Sequence, residues 1–457
     1  MSATPADRAT DDLRPRRTRR VHVEAFGCQM NVLDGELALS RLSESGWVRA
    51  AGPDEADLIL FNTCSVRDQS ENKVWSRLGA LRERKARDPS LMIGVMGCMA
   101  QREAADILRR MPHVDLVCGT RRFPVMDDLV ERAERGEQVL AVETDGYVDV
   151  QRDVGIRPER HRAFVSVMRG CDHQCTYCIV PRTRGAQADR PVADILAEVR
   201  RLADDGVREV TLLGQNINTF GRYLPERPTL ATLLMDVDRI EGIDRIRFLT
   251  SNPMDLRDEL LQAMASTPKA CGYLHFPAQS GSDTVLRRMR RGYTRSRYLE
   301  LCARARELCP GIELASDFIV GFPGETESEY LATRSLVEEV GFKQIYVFQY
   351  SVRPGTAAAA MADDVPDEEK RRRNNDLLDL QERISIARNH AVVGRRLVVL
   401  VDGPTPRDVS RVQGRDDGNR TVIFEGSSAL AGSLVDVDVT AATAPVLYGT
   451  MVPGSAR

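Results

Sequence analysis

The chain has 457 residues, 42% of them hydrophobic and 29% charged, with a formal net charge of −3. This composition is typical of a soluble globular protein, and the near-neutral charge excludes a global basic field that would by itself indicate nucleic-acid binding. No apolar run is as long as a membrane span, and residues 1–20 lack the apolar stretch of a signal peptide, so we expect a cytoplasmic protein without a membrane partner.

The ten cysteines, in a chain without an export signal, favour metal binding in a reducing compartment over disulfides. Positive charge is concentrated in three runs, each of which alone is more typical of a solvated surface. Together with a metal site, three such runs favour a phosphate-bearing substrate. The runs comprise Arg14, Arg16, Arg17, Arg19 and Arg20, then Arg287, Arg288, Arg290, Arg291, Arg295 and Arg297, then residues 370–373.

The first part of the chain predicts a disordered arm followed by an α/β domain. Residues 1–19 are polar and charged, as expected for the arm, and residues 20–135 alternate apolar runs with amphipathic segments. Such alternation predicts an open parallel sheet with helices on its faces. Residues 136–158 are charged and weakly periodic, and we interpret them as a linker. The strands are expected at 21–26, 57–61, 91–96 and 114–117, with helices that include 34–45 and 69–85.

Three of these strands lead into a cysteine, namely Cys28, Cys64 and Cys98. Ligands of open parallel sheets collect beyond the carboxyl ends of the strands, so three thiols at that edge favour a bound cluster with a free iron. The alternative is that each is a small buried core residue. Cys118 also follows a strand and is a conceivable fourth ligand, but we interpret it as core. The same interpretation applies to Cys271, Cys302 and Cys309.

Residues 159–392 predict a second series of strands and helices, six units that form a partial (β/α)6 barrel. Active sites of barrels lie at the carboxyl ends of the strands. The tail, 393–457, alternates Val, Gly, Asp and Thr and predicts a small antiparallel β-barrel of about five strands, reached through a helix at 367–392. The barrel strands are expected at 163–168, 209–213, 245–249, 272–275, 313–320 and 344–350, with helices that include 193–205 and 296–308.

The first strand of this barrel leads into Cys171, Cys175 and Cys178, in a C-x3-C-x2-C run. Three thiolates in one tight loop can bind three irons of a [4Fe-4S] cluster and leave the fourth iron open. A structural zinc site needs four ligands, and an odd number of neighbouring cysteines fits disulfides poorly, so we favour the iron-sulfur interpretation. The spacing resembles that of the radical S-adenosylmethionine (SAM) superfamily, in which the open iron binds the amino and carboxylate groups of SAM.

Further motifs resemble those of the radical SAM methylthiotransferase family over most of residues 21–452. The tail is similar to that family's RNA-binding TRAM domain. Within the family, the chain resembles most closely the branch that acts on isopentenylated adenosine beside the tRNA anticodon. Other branches act on threonylcarbamoyl-adenosine or on a ribosomal-protein aspartate. The motifs are Gly-Cys-Gln-Met-Asn at 27–31, Asn-Thr-Cys-Ser-Val-Arg at 62–67, Gly-Cys-Met-Ala-Gln at 97–101, the segment 169–185, Leu-Gly-Gln-Asn-Ile-Asn at 213–218, His-Phe-Pro-Ala-Gln-Ser-Gly at 275–281 and the segment 317–325.

The resemblance implies two [4Fe-4S] clusters and SAM as cofactors. A first cluster on Cys171, Cys175 and Cys178 would pass one electron to SAM, and the resulting 5′-deoxyadenosyl radical would remove hydrogen from C2 of the adenine. A second cluster on the three strand-end cysteines would supply methylated sulfur. The protein itself would position the reactants and exclude water, because the cofactors carry the difficult chemistry.

The resemblance also suggests contacts to SAM. Tyr177 either packs on its adenine or only stabilises the loop, and Gly214 and Gln215 are expected near its amino group. Ser316 and Asp317 are expected near the ribose. Ile319, just before Gly321, is expected where backbone approaches the adenine, although the glycines that follow are equally consistent with a simple turn.

The expected partners are the anticodon stem-loop of tRNA and an electron donor of the reductase or flavodoxin type, and we expect a monomer. Recognition would rest on RNA shape, backbone and unstacked loop bases, with the adenine leaving the stack. A non-catalytic iron-sulfur RNA-binding or redox module, or an enzyme that modifies a protein side chain, are the alternatives. The RNA contacts are expected at Arg184, at residues 287–297 and at Arg395, Arg396, Arg411, Arg415 and Arg420.

Overall fold

A computed structural model describes residues 18–65, 68–143, 152–153, 155–157 and 159–457. Its first part is an α/β layer of six strands and five helices within that portion of the chain. Their bounds are β1 Arg19–Phe26, α1 Gln29–Glu44, β2 Trp47–Arg49, β3 Leu58–Thr63, α2 Asp68–Arg87, β4 Met92–Gly97, α3 Cys98–Glu103, α4 Ala105–Arg110, β5 Leu116–Cys118, α5 Met126–Glu134 and β6 Val139–Ala141.

The six strands form one parallel sheet in the order β2-β1-β3-β4-β5-β6. The central strands β3 and β4 are buried at every position, as expected for a parallel sheet with helices on both faces. Two apolar clusters, one on each side of the sheet, form its core. The predicted open parallel α/β sheet is confirmed.

Two boundaries of this domain differ from the prediction. Arg19 belongs to β1 rather than to an arm, and its guanidinium donates to Glu134 Oε1 at 2.8 Å. The strand β6 lies in the segment predicted as a linker and pairs with β5. With only three residues, β6 is too short to show a periodic pattern in a charged segment. Residues 1–17 of the predicted arm and much of the predicted linker lie outside the described residues.

The central part is a ring of parallel strands surrounded by helices. The sheets β7-β10-β11 and β12-β13-β14 are joined by a bridge between Ile246 and Ala270, which gives the predicted partial barrel. The elements are β7 Arg162–Ser166, β8 Met168–Arg169, α6 Val180–Thr183, β9 Ala188–Asp189, α7 Val192–Asp204, β10 Glu209–Leu213, α8 Leu230–Asp238, β11 Arg245–Phe248, α9 Asp258–Ser266, β12 Tyr273–His275, α10 Asp283–Arg288, α11 Arg295–Leu308, β13 Glu313–Val320, α12 Glu327–Val340, β14 Gln344–Gln349 and α13 Asp367–His390.

Helix α1 connects the first sheet to this barrel. One side of α1 presents apolar residues, including Leu33 and Leu37, to Phe164 and Leu213 at the β7-β10 side of the ring. Burying such side chains contributes about 1.5–3 kcal/mol each, so the contact fixes the sheet against the barrel. The carboxyl edge of the sheet is therefore held next to the carboxyl ends of the barrel strands.

The tail folds as the predicted small barrel. Its five strands close in the order β15-β16-β17-β19-β18, and all pairs are antiparallel except β17 and β19, which run parallel. This one pair departs from the fully antiparallel barrel that the alternating pattern predicted. The strands are β15 Arg396–Pro404, β16 Arg411–Arg415, β17 Thr421–Glu425, β18 Leu434–Ala442 and β19 Val446–Met451.

This small barrel covers the amino ends of the large-barrel strands. Arg247 on β11 pairs with Glu209 at 2.9 Å and donates to the carbonyl oxygens of Asp416 and Asp417. Arg245 donates to the carbonyl oxygen of Val398 at 2.7 Å. The small barrel and the cysteine-bearing loop thus lie at opposite ends of the large barrel. Within the described ranges, no helix combines the length and apolar character that crossing a membrane requires.

Candidate iron-sulfur sites

The loop that bears Cys171, Cys175 and Cys178 runs from β8 to α6 and begins with a glycine turn. Gly170 has φ +76°, and a Cβ there would lie 2.1 Å from the carbonyl oxygen of Ala186, so only glycine fits. The N–H of Cys171 donates to Gly185 O at 3.1 Å, and that of Cys178 donates to Cys175 O at 3.0 Å. These bonds draw the three cysteines into one compact turn.

A second set of contacts anchors this loop to the barrel. The N–H of Thr176 donates to Met289 O at 3.1 Å, and Arg291 Nη1 donates to the Cys175 sulfur at 3.5 Å. Burial raises the pKa of Cys171, and it raises the pKa of Cys178 to about 12. Burial thus disfavours the thiolates in the metal-free loop, and a metal that binds there must displace these protons.

The residues predicted at the end of β10 lie directly beside this loop. Gly214 leaves room for Met168, since a Cβ there would lie 2.6 Å from the Met168 Cγ. Gln215 Oε1 accepts a hydrogen bond from the N–H of Gly170 at 2.5 Å. The structure therefore gives both residues a role in holding the start of the cysteine loop.

Three of the other predicted SAM contacts lie close to the barrel mouth. Tyr177 is half-buried and packs in one apolar cluster with Ile319, so the loop and β13 meet there. Burial raises the pKa of the Tyr177 phenol. Asp317 shares a hydrogen bond of 3.1 Å with His275 Nε2.

Ser316 does not join this group. It is fully buried, and its hydroxyl accepts from the N–H of Ala278 and donates to Phe276 O, at 2.9 and 3.0 Å. Successive strand residues point to opposite sides, so Ser316 faces away from the side on which Asp317 lies. The structure thus places Ser316 on the side of β13 opposite Asp317, and its expected ribose contact stays a prediction.

Cys28, Cys64 and Cys98 stand at the carboxyl edge of the first sheet, where two glycines allow their turns to approach. A Cβ on Gly27 would lie 2.2 Å from the Cys64 Cβ, and a Cβ on Gly97 would lie 2.2 Å from Asn62 Oδ1. Both glycines have positive φ, which other residues adopt only with strain. Only glycine at positions 27 and 97 allows the turns before Cys28 and Cys98 to approach Cys64 and Asn62 so closely.

Two buried asparagines tie these turns together, and the sequence analysis missed them. Asn31 Nδ2 donates to Asn62 Oδ1 at 3.0 Å, and Asn62 Nδ2 donates to Asn31 O at 2.7 Å. The Cys28 thiol donates to Asn31 Oδ1 at 3.0 Å. Both asparagines belong to the motifs that surround Cys28 and Cys64, which was the available signal.

The thiols of this second site differ in acidity. A hydrogen bond from Cys64, with the charge of Arg184 as a further cause, lowers the pKa of Cys28 to about 6 despite its burial. Burial raises the pKa of Cys98. The thiolate is the form that binds metal, so Cys28 is prepared for ligation.

A buried ion triad, Asp34 with Arg169 and Arg184, lies between the two sites. Arg169 Nη1 donates to Asp34 Oδ1 at 2.6 Å, and Arg184 Nη2 donates to Asp34 Oδ2 at 2.8 Å. The three side chains are 0–8% exposed. Arg184 was expected to contact RNA, and its burial contradicts that expectation.

The surroundings of the second site fit a cluster with net negative charge. The Arg184 guanidinium is a buried positive charge, and buried charge is costly unless it is compensated. An oxidised [4Fe-4S] cube with three thiolates carries one net negative charge, which would be attracted to this guanidinium. Arg184 Nη1 is buried and has no hydrogen-bond partner among the described residues.

Within the described part of the chain, no three or more His, Cys, Asp or Glu side chains are grouped closely enough to hold one metal ion.

Most of the arginines expected to bind RNA are engaged within the protein. Arg420 pairs with Glu313 of the large barrel, and Arg291 is buried against the cysteine loop. Arg287 and Arg290 are exposed and have no ion-pair partner within the described ranges. The four cysteines predicted to be core residues, Cys118, Cys271, Cys302 and Cys309, are all buried.

Family models match three parts of the chain. The radical SAM superfamily matches residues 165–337, the TRAM domain matches residues 391–452, and the Uncharacterized protein family UPF0004 matches residues 20–119. These segments coincide with the large barrel, the small barrel and most of the first sheet.

Similar curated proteins carry one name. The tRNA-2-methylthio-N(6)-dimethylallyladenosine synthase of Geobacter metallireducens is 45% identical over 92% of this chain and 95% of its own length. The protein of the same name from Geobacter sulfurreducens is 43% identical over 96% of this chain and 99% of its own length. A solved radical SAM methyltransferase, TsrM from Kitasatospora setae, has a TM-score of 0.56 at 13% identity and covers 84% of this chain and 78% of its own, a likeness of fold.

Proposed function

The chain belongs to the tRNA-2-methylthio-N(6)-dimethylallyladenosine synthases, a radical SAM family, and we propose that it inserts a methylthio group at C2 of N6-isopentenyladenosine next to the tRNA anticodon. The observation that carries this function is the placement of two separate sets of three cysteines on either side of one buried ion triad. One set suits cleavage of SAM and the other suits storage of the sulfur to be inserted.

We propose that Cys171, Cys175 and Cys178 hold the first [4Fe-4S] cluster and that Cys28, Cys64 and Cys98 hold the second. When bound, the first cluster and SAM would supply the radical that removes hydrogen from C2, and the second would supply the sulfur. Supporting this assignment, both sets lie at carboxyl ends of strands, and the buried Arg184 guanidinium provides positive charge for the second cluster.

The chain's own side chains position these groups. Gln215 and the Gly170 turn fix the start of the cysteine loop, and Arg291 donates to Cys175. We propose that Tyr177 and Ile319, which share an apolar cluster, bound the SAM adenine and exclude water, with Asp317 at its ribose.

The proposed partners are tRNA and an electron donor of the flavodoxin type. Arg287 and Arg290 are the exposed cations of the 287–297 run that remain available for phosphate near the cysteine loop. We further propose three domains, 18–143 for the second cluster, 159–392 for radical chemistry and 393–457 for RNA binding.

The substrate is tested by mass spectrometry of tRNA nucleosides from cells with and without this protein. We expect 2-methylthio-N6-isopentenyladenosine to disappear and N6-isopentenyladenosine to accumulate when the protein is absent. An unchanged methylthio mark on isopentenyladenosine, with loss of one on threonylcarbamoyl-adenosine or on a ribosomal-protein aspartate, would contradict the proposal.

The two clusters are tested by iron analysis of anaerobic protein. We expect about eight irons per chain, and about four in Cys64→Ala. Cys118→Ala is the matched control, because Cys118 also ends a strand of the same sheet but lies in the apolar core. Four irons in the unaltered protein, or loss of iron from Cys118→Ala, would overturn the assignment.

A further inference from the structure

The ion triad is built from residues on both sides of the first cysteine loop. Arg169 precedes the loop by two positions and Arg184 follows it, yet both pair with Asp34 on α1, which begins directly after Cys28. One carboxylate therefore connects the segment that bears one cysteine set to the helix that follows a cysteine of the other. The arrangement fixes the separation of the two candidate sites.

Arg184 is the member of the triad that faces the second site. Its neighbour Thr183 lies on α6, which contacts α3, the helix that begins at Cys98. The Arg184 guanidinium lies close enough to the Cys28 and Cys98 thiols to interact electrostatically with both. One terminal nitrogen of Arg184 donates to Asp34, whereas the other, Nη1, is buried and has no hydrogen-bond partner in the described part of the protein.

A buried N–H of a cation without a partner costs on the order of 1–3 kcal/mol or more, so an acceptor beside Arg184 Nη1 would be stabilising. The acceptors at the second site include the cysteine sulfurs and, once a cluster is bound, its sulfides, beside the hydroxyl oxygens of Thr63 and Ser65 that flank Cys64. Hydrogen bonds to these sulfurs and nearby positive charge both stabilise the reduced, more negative form of an iron-sulfur cluster.

We propose that Arg184 is a positioning residue of the second cluster, that its Nη1 donates a hydrogen bond to a sulfur of that cluster and raises its reduction potential, and that Asp34 limits this effect. The inference rests on the proposed function, since it requires a cluster on Cys28, Cys64 and Cys98. Arg184, which follows the loop of the first cluster, would thus help to set the reduction potential of the second cluster.

The test uses the full chain with Cys171, Cys175 and Cys178 changed to alanine, so that only the second cluster assembles. About four irons in this protein are required by the proposed function itself; their absence would overturn that function before the role of Arg184 is addressed. With the cluster present, its one-electron reduction by dithionite is titrated and followed by electron paramagnetic resonance.

Three substitutions separate a role in tuning from a role in folding. Arg184→Met is expected to lower the midpoint potential, and Arg184→Lys, which keeps the charge, to leave it closer to the parent value. Asp34→Asn is expected to raise the potential, because it removes negative charge and keeps the arginine. A purely structural triad would shift both Asp34→Asn and Arg184→Met in the same direction.

Arg41→Met provides the control, since Arg41 lies on the same helix but pairs with Asp127 at a half-exposed position. Its midpoint potential is expected to equal that of the parent. Equal potentials in the Arg184→Met, Asp34→Asn and parent proteins would overturn the proposal. Loss of the cluster from Arg184→Met with retention in Arg184→Lys would support it.

A measurement without any change at Arg184 keeps the proposal testable if these variants fail to fold. The alanine-substituted parent is prepared with arginine labelled with 15N only in its guanidinium group, and the reduced cluster is examined by pulsed electron paramagnetic resonance. A weak 15N coupling is expected from the N–H···S hydrogen bond. The absence of any arginine coupling would overturn the proposal.

Discussion

Gln215 Oε1 accepts a hydrogen bond from the N–H of Gly170, 2.5 Å away, although 45 positions separate the two residues. The end of one barrel strand thereby fixes the turn from which the first cysteine loop begins. Because that turn has positive φ and no space for a side chain, the geometry of the whole loop depends on one glycine.

Gly170→Ala is expected to remove the first cluster and leave the second. A Cβ at Gly170 would meet the backbone oxygen of Ala186 at 2.1 Å, so the loop must shift. Iron should fall from about eight to about four per chain, with loss of SAM cleavage. Gly206→Ala is the control, because Gly206 also has positive φ but nothing lies near its Cβ. Equal iron contents in the two variants would contradict this expectation.

Arg247→Met is expected to release the small barrel from the large one. The change leaves Glu209 buried without its partner and removes bonds to two carbonyl oxygens, at a cost of about 3–5 kcal/mol. Hydrogen exchange should rise in residues 396–451. The control Arg396→Met removes an exposed, solvent-screened pair with Asp438 and should leave exchange unchanged.

Arg287→Gln and Arg290→Gln are each expected to weaken tRNA binding and to lower the slope of log affinity against log salt by about 1, because each removes one phosphate contact. Filter binding over a salt series measures both effects. Arg297→Gln is the control within the same run, since Arg297 already pairs with Glu300 at 3.0 Å. A slope that stays constant in the first two variants would rule out contact with phosphate there.

Lys343 should make stability increase with pH. Burial lowers the pKa of Lys343 from 10.5 to about 8, so the unfolded chain binds more protons than the folded chain between these values. The free energy of unfolding should therefore increase by about 1–3 kcal/mol from pH 8 to pH 10. Urea unfolding of metal-free protein should show this rise reduced in Lys343→Met but not in Lys73→Met, an exposed control.

The elements best predicted from sequence are long and apolar. The bounds of β10 and β13 match their expected positions residue by residue, because every second or every residue of these strands is buried. The short strands β2 and β6, of three residues each, carry no period and were not expected. Cys28, Cys64 and Cys98 could be identified as a group because the carboxyl ends of parallel strands meet at one edge of the sheet.

The triad could not be predicted, because Asp34 pairs with residues 135 and 150 positions away. A helical pattern shows which side of α1 is apolar but not which distant arginine approaches it. The burial of Ser316 could have been predicted, since it alternates in phase with Phe318 and Val320, both fully buried. The sequence motif identifies the residue types on β13, and strand alternation determines which side of the strand each side chain faces.

The small barrel sits at the amino ends of the large-barrel strands, and the cysteine loop lies at their carboxyl ends. The eight residues of β13 set a span of about 26 Å between these ends. On the proposed RNA sites, one RNA that contacts both ends must extend along the large barrel for about that length. We therefore expect stem length to affect which RNAs are modified, because a shorter hairpin would reach only one of the two sites.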